Sequence, residues 1–96
     1  MTPYVLSPRA QVDLDEIWDY SASHWGDAQA EVYARQIQTA IELIAKTPHR
    51  GRPCDDIRPG YSKFAVGSHV LFYRLTDDGI DVVRVLRQRM DFDRHL

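Results

Sequence analysis

The sequence predicts an α+β fold in the order β-α-α-β-β-β: an N-terminal strand, then an antiparallel helix hairpin packed on one face of an antiparallel β-sheet. Three observations carry this. Apolar positions up to Lys46 recur at helical spacing. Pro48, Gly51, Pro53, Pro59 and Gly60 then interrupt any regular element, so residues 48–60 read as a loop. After Gly60 the period drops to two, and β-branched and aromatic residues dominate.

Taken in order, Tyr4-Val5-Leu6 is a short strand. Ser7 offers an N-cap oxygen, and Pro8 sits where the first helical turn tolerates it. Ala10, Leu14, Ile17, Trp18, Ser21 and Trp25 recur at helical spacing, and the first helix ends near Gly26. Asp27 is placed to cap a second helix over about 28–46, with the stripe Ala30, Tyr33, Ile37, Ala40, Ile41 and Ile44. The very short link makes the two helices an antiparallel pair. Three strands follow, at 61–66, 69–75 and 80–87. Gly67-Ser68 suits a tight hairpin turn with glycine first, and Thr76 to Gly79 forms a second turn. The tail from Gln88 to Leu96 is polar.

A length of 96 residues gives one domain, 1–96, with a thin core. Twelve Lys+Arg against 14 Asp+Glu give a net charge of −2, which excludes a polybasic nucleic-acid binder and an acidic solvating tail. The charge is uneven: the half up to Pro48 is acidic, and the arginines gather after it. No apolar run approaches a membrane span, and the first residues lack the pattern of a secretory signal. One cysteine, Cys54, excludes an internal disulfide framework and makes a cytoplasmic address the default.

Strand alternation sorts the sheet faces. Val70, Phe72 and Arg74 share one face of their strand; Ile80, Val82, Arg84 and Leu86 share one face of the next. Mid-strand arginines avoid a dry core, so these faces are assigned to the side away from the helices. That side then carries an apolar and arginine-bearing surface, and the polar tail is a poor lid for it. A protein partner is the expected cover.

No catalytic or metal constellation emerges. His24, His49, His69 and His95 lack ligand spacing with Cys54 or with each other, and no glycine-rich phosphate loop is present. His69 reads as a surface imidazole, and Cys54 as an incidental thiol in a loop. Asp13, Asp15, Glu16 and Asp19 read as a solvated helix face. The basic set Lys63, Arg74, Arg84, Arg87, Arg89 and Arg94 suits phosphate backbone or an acidic peptide. Lys63 and Arg94 are better read as solubilising charges.

Several segments, in this order, carry a resemblance over essentially the whole chain. They are Leu6-Ser7-Pro8-Arg9-Ala10, Leu14, Ile17-Trp18-Asp19-Tyr20, Gly51-Arg52-Pro53 and Ile57-Arg58-Pro59-Gly60-Tyr61. Val66 to Arg74 and Val83 to Asp91 complete the series. The chain resembles the RelE/ParE toxin superfamily, and within it the ParE toxins of two-gene toxin–antitoxin modules. That resemblance implies a poison of DNA gyrase that blocks replication by binding, with no cofactor and no metal. It also implies a ParD-like antitoxin whose C-terminal part folds over the toxin. On the face sorted above, the antitoxin contacts would be Val70, Phe72, Arg74, Val82, Arg84 and Leu86. The target contacts would be Arg87, Arg89 and Asp91 at the sheet exit. No membrane partner and no sequence-specific nucleic acid are expected.

The RelE branch, which cuts messenger RNA on the ribosome, is the alternative. Its chemistry uses basic residues on the sheet and a tyrosine in the tail. Here the strand position after the hairpin turn is Val70, the tail offers Phe92 and Asp93, and no tyrosine follows Tyr73. Arg89 alone matches a basic position of that branch. The chain also departs from ParE, whose last strand often ends in Leu-His; here it ends in Leu86-Arg87, without a titratable imidazole.

Overall fold

Ser7 opens the first helix as its position predicts. Its side chain accepts the Ala10 amide at 3.0 Å, while its own hydroxyl donates to the Val83 carbonyl at 2.7 Å. The cap therefore starts the helix and ties it to the last strand. In the computed structural model, which describes residues 4–89 and 92–96, the elements are β1 (Tyr4–Leu6), α1 (Pro8–Trp25) and α2 (Asp27–Lys46). A 3-10 turn (Pro48–Arg50) follows, then β2 (Arg52–Pro53), β3 (Tyr61–Val66), β4 (His69–Leu75), β5 (Ile80–Arg87) and α3 (Phe92–His95).

Gly26 joins the two long helices. At φ +90° its N–H closes α1 onto the Ala22 carbonyl, and its own carbonyl accepts from Ala30. Gly26 is thus the N-cap of α2, and Asp27, expected in that role, is the first helical residue, where the dipole favours its charge.

The sheet order is β1-β5-β4-β3-β2. The three long strands form the expected antiparallel meander. β1 adds to it in parallel with β5, pairing Tyr4–Leu6 with Ile80–Val82. The opposite edge is β2, inside the stretch read as a loop: Arg52 pairs with Lys63 and Pro53 with Ser62. Proline is tolerated there because β2 is an edge strand.

The main core lies between the helix hairpin and the sheet. Ile37, Ile41 and Ile44 of α2 pack with Leu71, Tyr73, Ile80, Val82 and Val85. The Tyr73 hydroxyl satisfies itself by donating to the Pro48 carbonyl at 2.7 Å. The α1 stripe is less regular than its spacing predicts. Trp18 and Trp25 are exposed, whereas Asp13, outside that stripe, is buried; Ser21 is buried as its place in the stripe predicts.

A bulge corrects the face assignment. Phe72 pairs with Arg84 and Tyr73 with Val82, which leaves Val83 as an extra residue in β5. Val82 therefore belongs to the helix-side core, while Leu86 belongs to the opposite face. Arg84 does not stand on an open face either: it is buried in an ion pair with Asp13 of α1.

The second face is also covered by the chain itself. Cys54, Val70, Phe72 and Leu86 form a small core beneath Ile57, Tyr61, Phe92 and Leu96. The Phe92 ring meets Phe72 edge-on at 4.7 Å, and Arg58 donates to the Leu96 carbonyl oxygen at 2.8 Å. The tail expected to be too polar for a lid supplies one, because two apolar residues suffice for so small a patch. Cys54 lies in the loop after β2, as expected, but is buried at the centre of this cover rather than incidental there.

Candidate interaction groove

β1 stops at its pairing with Val82, so β5 runs on to Arg87 with no strand on that side among the described residues. α1 takes over the edge at first. The Ser7 amide donates to the Val82 carbonyl at 2.9 Å. One turn further, Asp13 accepts the Val85 amide at 3.0 Å and the Arg84 guanidinium at 2.7 and 2.9 Å. That carboxylate makes Arg84 harder still to deprotonate, against the opposing effect of burial.

Beyond this clamp a cleft of about 740 Å³ opens between α1, the start of α2 and the end of β5. Ile17 and Tyr20 form one wall, Trp25 and Tyr33 another, and His69 and Arg87 the sheet side. Tyr20 stacks on His24 at 3.8 Å and meets Trp25 edge-on at 5.7 Å. The Arg87 guanidinium lies 5.5 Å from the Tyr20 ring centre. Trp25 is 63% exposed, so this aromatic surface is available at the mouth.

His69 is half-buried rather than a surface imidazole. The Ser68 amide donates to the Tyr33 hydroxyl at 3.1 Å, and that hydroxyl lies 2.6 Å from His69 Nδ1 and 3.5 Å from the Val66 carbonyl oxygen. Burial, then the charge of Arg87, holds the His69 pKa below its ordinary value. Gly67 makes the approach possible: its φ is +57°, and a Cβ there would lie 2.5 Å from the Tyr33 ring.

The residues singled out from sequence are scattered. Val70, Phe72 and Leu86 meet under the tail; Val82 is in the helix-side core; Arg84 is in the clamp. Arg74 is exposed, 3.2 Å from Asp81 and 5.9 Å from the Tyr61 ring centre. Arg87 and Arg89 are exposed at the sheet exit, and Asp91 lies outside the described residues. Among the described residues, no group of His, Cys, Asp and Glu is arranged to hold a metal, and no helix is long and apolar enough to cross a membrane. Sequence reading missed the cleft and the clamp. A signal existed: Asp13, Ile17 and Ser21 are spaced by four and share one helix ridge.

The same architecture occurs in a solved structure described as the chromosomal ParDE TA system from P. aeruginosa. The TM-score is 0.79 at 21% identity, over 91% of this chain and 96% of that one. The sequence comparison is decisive. A family model described as the ParE toxin of the type II toxin-antitoxin system parDE matches residues 4–92. The chain belongs to the ParE toxin family. Toxin ParE1 of Mycobacterium tuberculosis is 60% identical over 97% of this chain and 96% of its own. Toxin ParE1 of Caulobacter vibrioides is 49% identical over 100% and 99%. In this ParE-family chain the matched region spans both the clamp and the cleft, from Tyr4 through Phe92.

Proposed function

We propose that this ParE-family chain poisons DNA gyrase by binding it, so that replication stops, and that a ParD-like antitoxin holds it inactive in the cytoplasm. The observation that carries this reading is the near full-length likeness to two ParE1 toxins at 60% and 49% identity. In this reading the chain breaks no bond itself. Arg87 and Arg89, exposed where the sheet ends, are the target contacts together with Asp91.

The cations of the sheet support binding over messenger RNA cleavage. A nuclease needs cationic groups aimed at the scissile phosphate. Here Arg84 is committed to Asp13, Arg74 lies against Asp81, and Val70 is buried under the tail. The antitoxin contacts must also be revised. Of Val70, Phe72, Arg74, Val82, Arg84 and Leu86, only Arg74 is exposed in the free chain.

Induction of the chain without antitoxin tests the reading. Growth should arrest while transcripts on translating ribosomes remain intact. Cleaved transcripts would favour the ribonuclease alternative. Normal growth with soluble, folded protein would make the chain a non-toxic, antitoxin-binding remnant.

A further inference from the structure

We propose that the β2 edge of the sheet, through Arg50, Arg52 and Lys63, holds backbone phosphates of duplex DNA without reading its sequence. That the duplex is DNA rests on the gyrase reading above; the phosphate site stands on the surface itself.

Positive charge is concentrated at this edge. Residues 46–63 hold five cations against two carboxylates, whereas the rest of the chain holds seven against twelve. The net charge of −2 therefore conceals a locally positive surface. Among the described residues, the side chains of Arg50, Arg52 and Lys63 make no hydrogen bond and no ion pair. Asp55 and Asp56, the carboxylates of the stretch, do not pair with them, and Asp55 accepts the Gly60 amide at 2.8 Å. Arg74 and Arg84, by contrast, are committed to Asp81 and Asp13.

The fold fixes where these cations stand. Arg52 and Lys63 are partners in the β2–β3 ladder, so their side chains rise from one face about 5 Å apart. Arg50 precedes them across Gly51, whose backbone is extended. A Cβ at Gly51 would collide with the Tyr73 hydroxyl, which is itself anchored to the Pro48 carbonyl at 2.7 Å. Both arginines are thus carried on backbone that is pinned to the core.

The surroundings favour phosphate over base contact. The exposed aromatic rings Trp18, Tyr20 and Trp25 all stand on α1, so no stacking platform for a single strand lies beside these cations. A duplex keeps its bases inside and presents its phosphates. β2 lies three strands from β5, about 14 Å across the sheet, and leaves Arg87 and Arg89 free. A target that holds DNA can thus be gripped at both sites. A charged, proline-bearing edge also discourages strand pairing, and salt dependence separates that role from phosphate binding.

Fluorescence anisotropy of a labelled DNA duplex of about 20 base pairs, titrated with the wild-type chain, tests the site. Three phosphate contacts predict that log K falls against log salt with a slope of about −3. Arg50→Gln with Arg52→Gln should weaken binding by about fivefold or more and bring the slope to about −1. Arg9→Gln with Arg35→Gln changes the net charge equally on the helices and should leave the affinity within about twofold. Absence of duplex binding by the folded wild-type chain, or equal losses in the two double variants, overturns the site. Tighter binding of duplex RNA or single-stranded DNA than of duplex DNA overturns the choice of ligand. Binding as expected with gyrase uninhibited supports the phosphate site and contradicts the gyrase reading alone.

Discussion

Asp13 and Arg84 stand 71 residues apart in sequence and form a buried bidentate pair, with Nε and Nη2 at 2.7 and 2.9 Å from the carboxylate. The same carboxylate accepts the Val85 amide, so one side chain fastens α1 to β5 at the root of the cleft. Removing one partner strands a buried charge, which costs about 3–5 kcal/mol. Asp13→Ala should lower stability by this order in urea denaturation. Asp13→Leu with Arg84→Met should recover much of the loss, since it removes both charges. A loss below about 1 kcal/mol in the single variant would show that the clamp is not structural.

The sequence-level account failed where this pair sits. Alternation gave the bounds of β3, β4 and β5 because each strand is long and its turns carry glycine or the Thr76–Gly79 signal. It could not give the Val83 bulge, which arises from pairing with β4 and has no signature in the Val82-Val83-Arg84-Val85 run. One extra residue moved Val82 to the helix side and separated it from Leu86. Asp13 looked solvated because its partner is remote in sequence. β2 has two residues, too few for any period. The tail looked polar on average, yet Phe92 and Leu96 are the residues that matter.

His69 makes stability depend on mild acid. Its pKa is lowered in the fold by burial, from an ordinary value near 6.5. On acidification the unfolded chain takes up that proton first. This contribution is therefore full above about 6.5 and is lost as pH falls from there toward the folded value. Urea midpoints at pH 7.5 and 5.5 should separate more in the wild type than in His69→Gln. Equal separations would remove His69 as the cause.

Gly67 should not tolerate a side chain. Its positive φ and the Tyr33 ring act together against a Cβ. Gly67→Ala should cost about 1–3 kcal/mol in urea denaturation. Displacing Tyr33 should also open His69 to solvent and relieve its burial, readable as a rise of the His69 pKa by NMR titration. Wild-type stability in the variant would show that the turn relaxes freely.

Cys54 reports on the tail. It is fully buried, and burial raises its thiol pKa, so it should react slowly with a disulfide reagent. Phe92→Ala removes the ring that meets Phe72 and should speed labelling of Cys54 several-fold, with a modest loss of stability. An unchanged labelling rate would mean that the loop from Cys54 to Tyr61 protects the thiol without the tail.

The most direct test of the central claim is DNA supercoiling by purified gyrase, titrated with this chain alone and with the chain pre-mixed with its ParD-like antitoxin. The account predicts that supercoiling falls with increasing free chain, is restored by antitoxin, and is inhibited less by Arg87→Ala. Full supercoiling at large molar excess of folded chain would contradict it.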